Sequence, residues 1–144
     1  MSGLSVGMDV VDVREVEQSI ARFGDRYLAR IYTADEVAYA RQAPAETARR
    51  LGARFAAKEA TIKALRAAGD GIDPRSINVA KAPDGGCEIV LSGSALDAAR
   101  RAGVVSLSVS MTHDGDIAAA VVIAERAREA HGTGPSNGTG ATRS

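Results

Sequence analysis

One cysteine, no tryptophan and only two Phe and three Tyr stand in 144 residues. The lone Cys87 excludes an intrachain disulfide framework and any metal centre built from cysteines. An excess of charge is missing too, because 18 Lys and Arg cancel 18 Asp and Glu. That argues against a partner held by bulk positive charge, nucleic acid above all. No apolar run approaches the roughly 20 residues that cross a bilayer; the longest, IAAAVVIA, occupies 117–124. Asp9 and Asp12 interrupt the first apolar stretch and no basic run precedes it, so no signal peptide is read there. A cytoplasmic protein without a membrane partner is the expectation. What is present, 45% hydrophobic and 25% charged residues, suffices for one domain with a real core. A chain of this length buries about 70% of the surface it exposes when unfolded. From His131 onward the sequence HGTGPSNGTGATRS holds no large apolar residue. It cannot offset its own ordering entropy, so a disordered tail over 131–144 is expected behind a domain spanning 1–130.

Periodicity orders the rest. LSVGMDVV alternates as a strand, with Leu4, Val6, Met8 and Val10 on one face and Ser5, Gly7, Asp9 and Val11 on the other. Asp12, with Glu15 three residues on, signals a helix start; Val13, Val16, Ile20 and Phe23 form its apolar stripe and Gly24 ends it. Thr33 with Glu36 signals a second start, of a helix that must end before Pro44. The longest helix is read over 45–68, its core stripe formed by Ala48, Leu51, Phe55, Ile62 and Leu65. SINVA and CEIVL flank a Pro-Asp-Gly-Gly turn, a hairpin signal. A helix follows from a Ser94 cap to Gly103. VVSLSVSM then alternates with Val105, Leu107, Val109 and Met111 inside, THDGD reads as a turn, and IAAAVVIA as a strand central in its sheet or in a subunit interface. The expected fold is α+β, an antiparallel sheet packed against one long helix.

Three places could carry chemistry: Asp9 on the first strand, RFAAKEATIKAL on the long helix, and THDGD. Each has a plain structural alternative. Glu59 and Lys63, four apart, share a helix face and could form an ordinary surface pair worth about 0.3–0.5 kcal/mol. Lys58 stands in the apolar stripe, where its stem could cover core while its ammonium reaches water. Asp9 could tie down a loop, and His113 could be a solvated turn residue.

Together, however, GMDVVDV, RLGARFAAKEATIKAL and SVSMTHDGDIAAAVVI resemble, in order and spacing, the holo-acyl-carrier-protein synthases, the short 4′-phosphopantetheinyl transferases. The resemblance covers about residues 4–125. It implies transfer of 4′-phosphopantetheine from coenzyme A to a serine of an apo acyl carrier protein, with release of adenosine 3′,5′-bisphosphate. It further implies Mg²⁺ held by Asp9 and Glu59, which suits an ion that takes one or two carboxylates and shares the rest with phosphate and water. Lys63 matches the lysine at the phosphates, and Lys58 a phosphate or structural contact. Thr112 and His113 match a turn approaching the nucleotide, from a neighbouring subunit of a homotrimer. Glu59 and a metal-bound water are the two candidate acceptors for the serine proton. Two departures stand out. Where the family runs Lys-Ala-(Phe/Leu)-Gly-Thr-Gly, this chain reads KALRAAGDGI. The first helix, which docks acidic carriers when basic, here mixes Arg14, Arg22 and Arg26 with Asp12, Glu15 and Glu17. The alternatives are the same chemistry on a dedicated polyketide or peptide-synthetase carrier, and a non-catalytic coenzyme A- or nucleotide-binding homologue.

Overall fold

The computed structural model describes residues 3–128; the tail expected over 131–144 lies outside the described residues. Strand β1 (Leu4–Asp12) leads into helices α1 (Val13–Phe23), α2 (Asp25–Ile31) and α3 (Ala34–Arg41). A 3₁₀ turn at Pro44–Glu46 opens the long helix α4 (Thr47–Ala64). The hairpin β2 (Ile77–Lys81) and β3 (Cys87–Leu91), helix α5 (Gly93–Ala102), and strands β4 (Val104–Asp114) and β5 (Ile117–Arg126) complete it. The main sheet is antiparallel in the order β1-β5-β4, and β2-β3 form a separate pair. Helix α4 lies across β1 and β5. The α+β reading and the central place of IAAAVVIA therefore hold. Ala118, Ala120, Val122 and Ala124 are buried on the helix side, and their small side chains let α4 approach closely. Among the described residues, no helix is long and apolar enough to cross a membrane.

Several local expectations are corrected. The strand face that packs on α4 is the less apolar one, with Ser5, Gly7 and Val11 buried, while Leu4, Val6, Met8 and Val10 stand 54–64% exposed. A bulge between Val104 and Ser106 turns Val105 out, at 66% exposure, and half-buries Val104 instead. Thr112, His113 and Asp114 belong to β4, and the turn is only Gly115 and Asp116, with Gly115 at φ 58°. Glu125 and Arg126 extend β5 because they pair with Leu4 and Val104. Phe23 is half exposed, with the Arg22 guanidinium 5.3 Å from its ring centre.

The anticipated capping box at Thr33 is complete: its hydroxyl accepts from Glu36 N–H, and its own N–H donates to Glu36 Oε1 at 2.9 Å. Glu36 then does more than cap. Its carboxylate takes the Lys58 ammonium at 2.8 Å, both side chains fully buried, and accepts the Val79 N–H at 2.7 Å. Lys58 also donates to the carbonyls of Pro74 at 2.9 Å and Ile77 at 2.5 Å. Burial pulls its ammonium below the ordinary lysine range and the Glu36 carboxylate opposes that pull. One ion pair thus joins α3, α4 and the entry to β2. Lys58 neither snorkels nor reaches a surface where a phosphate could sit, so its assignment as a coenzyme contact is withdrawn.

Removing one member of such a pair leaves an uncompensated buried charge. Lys58→Met is expected to lower the unfolding free energy by about 3–5 kcal/mol. The double change Lys58→Met/Glu36→Gln should cost less than the sum of the singles. Urea unfolding of the four proteins checks both expectations.

Candidate active site

Where β1 crosses α4, no side chain separates them. A Cβ built on Gly7 would lie 2.0 Å from the Ala60 carbonyl oxygen and 2.7 Å from Ala64 N. Glycine is therefore required by the close approach of two backbones. Two residues earlier, the Ser5 hydroxyl donates to the Ala64 carbonyl at 2.6 Å and pins the same crossing. Two residues later, alternation brings Asp9 onto the same face of β1. On α4, Glu59 and Lys63 lie one turn apart and share a face. The strand–helix contact accordingly gathers Asp9, Glu59 and Lys63.

The lysine chooses across the junction rather than along the helix. Lys63 Nζ donates to the Met8 carbonyl at 2.9 Å and to Asp9 Oδ1 at 3.3 Å. The surface pair Glu59–Lys63 does not form, and Glu59 is left half-buried with no cation of its own among the described residues. Burial pushes its carboxyl above the ordinary range, the Asp9 charge pushes the same way, and Lys63 opposes them. Two carboxylates and one ammonium leave the cluster one negative charge over.

Thr112 and His113 do not join this group within one chain. Both are on β4, separated from β1 by β5: Thr112 pairs with Ala119 and shares the outer face with Val10, and His113 pairs with Ala118 on the opposite face. A groove of about 610 Å³ between α2 and α3 is lined by Leu28, Tyr32 and Val37 and by none of these residues.

One feature escaped the sequence reading. Arg54, only 3% exposed, has its Nε without a hydrogen-bond partner among the described residues. Its guanidinium stacks 4.4 Å from the Tyr39 ring centre, with Arg50 at 4.3 Å and Lys81 Nζ at 5.6 Å from the same ring. Three cations share one aromatic ring. The available signal was Arg50 and Arg54 at i,i+4, with no acid three or four positions from Arg54.

Comparison with known proteins adds a second line. The family model of the 4′-phosphopantetheinyl transferase superfamily matches residues 5–122. A holo-acyl-carrier-protein synthase of Nitratidesulfovibrio vulgaris (strain DP4) is 41% identical over 123 residues, which are 85% of this chain and 98% of that protein. One of Anaeromyxobacter dehalogenans (strain 2CP-1) is 41% identical over 136 residues, 92% and 98% of the two chains. Among solved structures, the Helicobacter pylori holo-acyl-carrier-protein synthase in complex with coenzyme A superposes with a TM-score of 0.72. It is 28% identical, over 83% of this chain and 99% of that one. The Neisseria meningitidis enzyme gives a TM-score of 0.71 at 31% identity, over 85% and 98%.

Glu59 supplies a test of the electrostatics. A carboxyl held above its unfolded value of 4.5 takes up a proton on folding. Its contribution to stability is greatest where it is protonated and falls as pH rises through the folded value. Glu59→Gln should therefore raise the melting temperature at pH 7 by a few degrees at most, the gain vanishing below about pH 4. Paired thermal melts at the two pH values check this.

Proposed function

The chain belongs to the 4′-phosphopantetheinyl transferase superfamily, and on that basis we propose that it transfers 4′-phosphopantetheine from coenzyme A to a serine hydroxyl of an apo acyl carrier protein, releasing adenosine 3′,5′-bisphosphate. The observation that carries this reading is the convergence of Asp9, Glu59 and Lys63 at the β1–α4 crossing. Phosphoryl transfer requires positioning and charge neutralisation more than covalent help.

The residues fit Mg²⁺. Asp9 and Glu59 offer hard oxygens from two elements; burial first, and the Asp9 charge after it, hold the Glu59 carboxyl up, and a cation held by both would relieve their repulsion. Among the described residues no larger His, Cys, Asp and Glu cluster forms, and two carboxylates match this ion's habit. When bound, the ion neutralises charge on the pyrophosphate. Lys63, half exposed and tethered only to Asp9 and the Met8 carbonyl, can turn its ammonium to a phosphate oxygen. Of the two acceptors named for the serine proton, Glu59 is the one that the chain itself supplies.

The exposed apolar face supports a homotrimer. Leu4, Val6, Met8 and Val10 line up with Ile117 and Ile123 on the outer side of the sheet, all at least 45% exposed. A patch of that kind marks a protein interface. In such an assembly Thr112 and His113 would serve the site of a neighbouring copy, the role that the resemblance gives them.

Incubation with coenzyme A, Mg²⁺ and a panel of apo carriers should add one phosphopantetheine arm by mass. A chain that binds coenzyme A but modifies no carrier is the non-catalytic homologue instead; the carrier that reacts fastest identifies the partner class. Asp9→Ala and Lys63→Ala should each lower kcat/KM by at least ~100-fold while the fold persists. Val6→Glu and Ile123→Glu should yield folded monomers by light scattering, with transfer lost.

A further inference from the structure

Helix α4 ends in an unusual way. Arg66 adopts φ 57°, the left-handed region, and is the one described non-glycine residue to do so. Its N–H donates to the Lys63 carbonyl at 3.0 Å, and the Ala67 N–H to the Ile62 carbonyl at 3.0 Å. This paired ending is normally closed by glycine, and a residue with a Cβ there costs about 1 kcal/mol. Strain kept at one residue calls for a compensating use of its side chain.

Arg66 lines a pocket of about 280 Å³ together with Arg101 from the last turn of α5 and Arg126 from the end of β5, over Leu65 and Ala98. The single carboxylate there is Asp70. Attraction to helix C-termini accounts for Arg126, whose Nε donates to the Ala102 carbonyl at 3.2 Å. The same attraction favours Arg101 in the last turn of α5 and Arg66 just past α4, but it gives their guanidinium groups no specific acceptor. Among the described residues, neither Arg66 nor Arg101 has an ion-pair or side-chain hydrogen-bond partner. Arginines from three separate segments thus line one concavity, and the fork geometry of a guanidinium suits the oxygens of a tetrahedral anion.

We propose that the Arg66–Arg101–Arg126 pocket binds the phosphate group of a small phosphate-bearing ligand. The site is distinct from the Asp9–Glu59–Lys63 cluster and does not depend on the transferase reading. Its specific element is Arg66, which gives up a relaxed helix end for a third cation.

The test is a thermal-shift titration of the full chain with inorganic phosphate, against sodium chloride at matched ionic strength. Wild type should gain a few degrees from phosphate and little from chloride. Arg66→Gly should melt higher than wild type without phosphate, because the strain is gone. Its phosphate-dependent shift, and that of Arg101→Ala, should fall below about a third of the wild-type shift. Repeating the titration at saturating coenzyme A separates the sources. A shift that persists indicates a separate phosphate ligand; one that disappears, with a raised KM for coenzyme A in Arg66→Gly, assigns the coenzyme's own phosphate. No phosphate shift in wild type, or equal shifts in all three proteins, would overturn the proposal.

Discussion

The backbone of β1 touches the backbone of α4 at Gly7, where any Cβ would meet the Ala60 carbonyl at 2.0 Å, and the geometry of the site descends from that contact. With the strand so close, the Lys63 side chain reaches over it to the Met8 carbonyl and Asp9. Glu59, one turn back on the same helix face, falls within the field of Asp9. A larger residue at position 7 would move the strand off the helix and carry Asp9 away from both partners. The contact also explains why Asp9 tolerates a place near a second carboxylate: packing, with the Ser5 hydroxyl bond to Ala64, holds the strand there against repulsion from Glu59, whose carboxyl is raised first by burial and then by the Asp9 charge.

Packing of α4 is secured from its other side by the Glu36–Lys58 pair. Helix α3 is short, and its position is determined by a carboxylate that caps its own helix, receives a buried ammonium and accepts an N–H from β2. A pair of this kind stabilises little compared with a well-packed apolar substitute. Its satisfied hydrogen bonds instead select one arrangement of three elements, since any slip leaves a charge or a backbone donor unpaired. The two lysines of the helix motif, Lys58 and Lys63, therefore divide their work: one orders the interior, the other faces the site.

The sheet has two faces of opposite character. Three alanines and Val122 of β5 meet α4, and the bulkier side chains of β1 and β5 point outward, exposed among the described residues. An isolated domain seldom leaves its larger apolar residues outside while burying serine and glycine. The proposed association through that face would make the arrangement economical, with alternate residues of the same strands buried within one copy and between copies.

Much of this was legible in the residues themselves. Strand alternation, the Thr33–Glu36 capping box, the Pro-Asp-Gly-Gly hairpin and the one-turn spacing of Glu59 and Lys63 are short-range properties, and each is expressed as sequence spacing dictates. The motif likeness likewise located Asp9, Glu59 and Lys63 correctly as one neighbourhood. What tertiary structure decided was partnership. Lys58 pairs with Glu36, 22 positions away, where local pattern suggested a snorkelling side chain; Lys63 takes Asp9 across the crossing instead of Glu59 along the helix. A period of two divides β1 into faces without saying which is covered, and the bulge at Val105 reverses one residue of β4 for the sake of pairing with β5. Local spacing sets how a segment coils or extends because neighbouring residues share its backbone. Which side is buried and which charge is answered depend on groups that only the packed chain brings within a few ångströms.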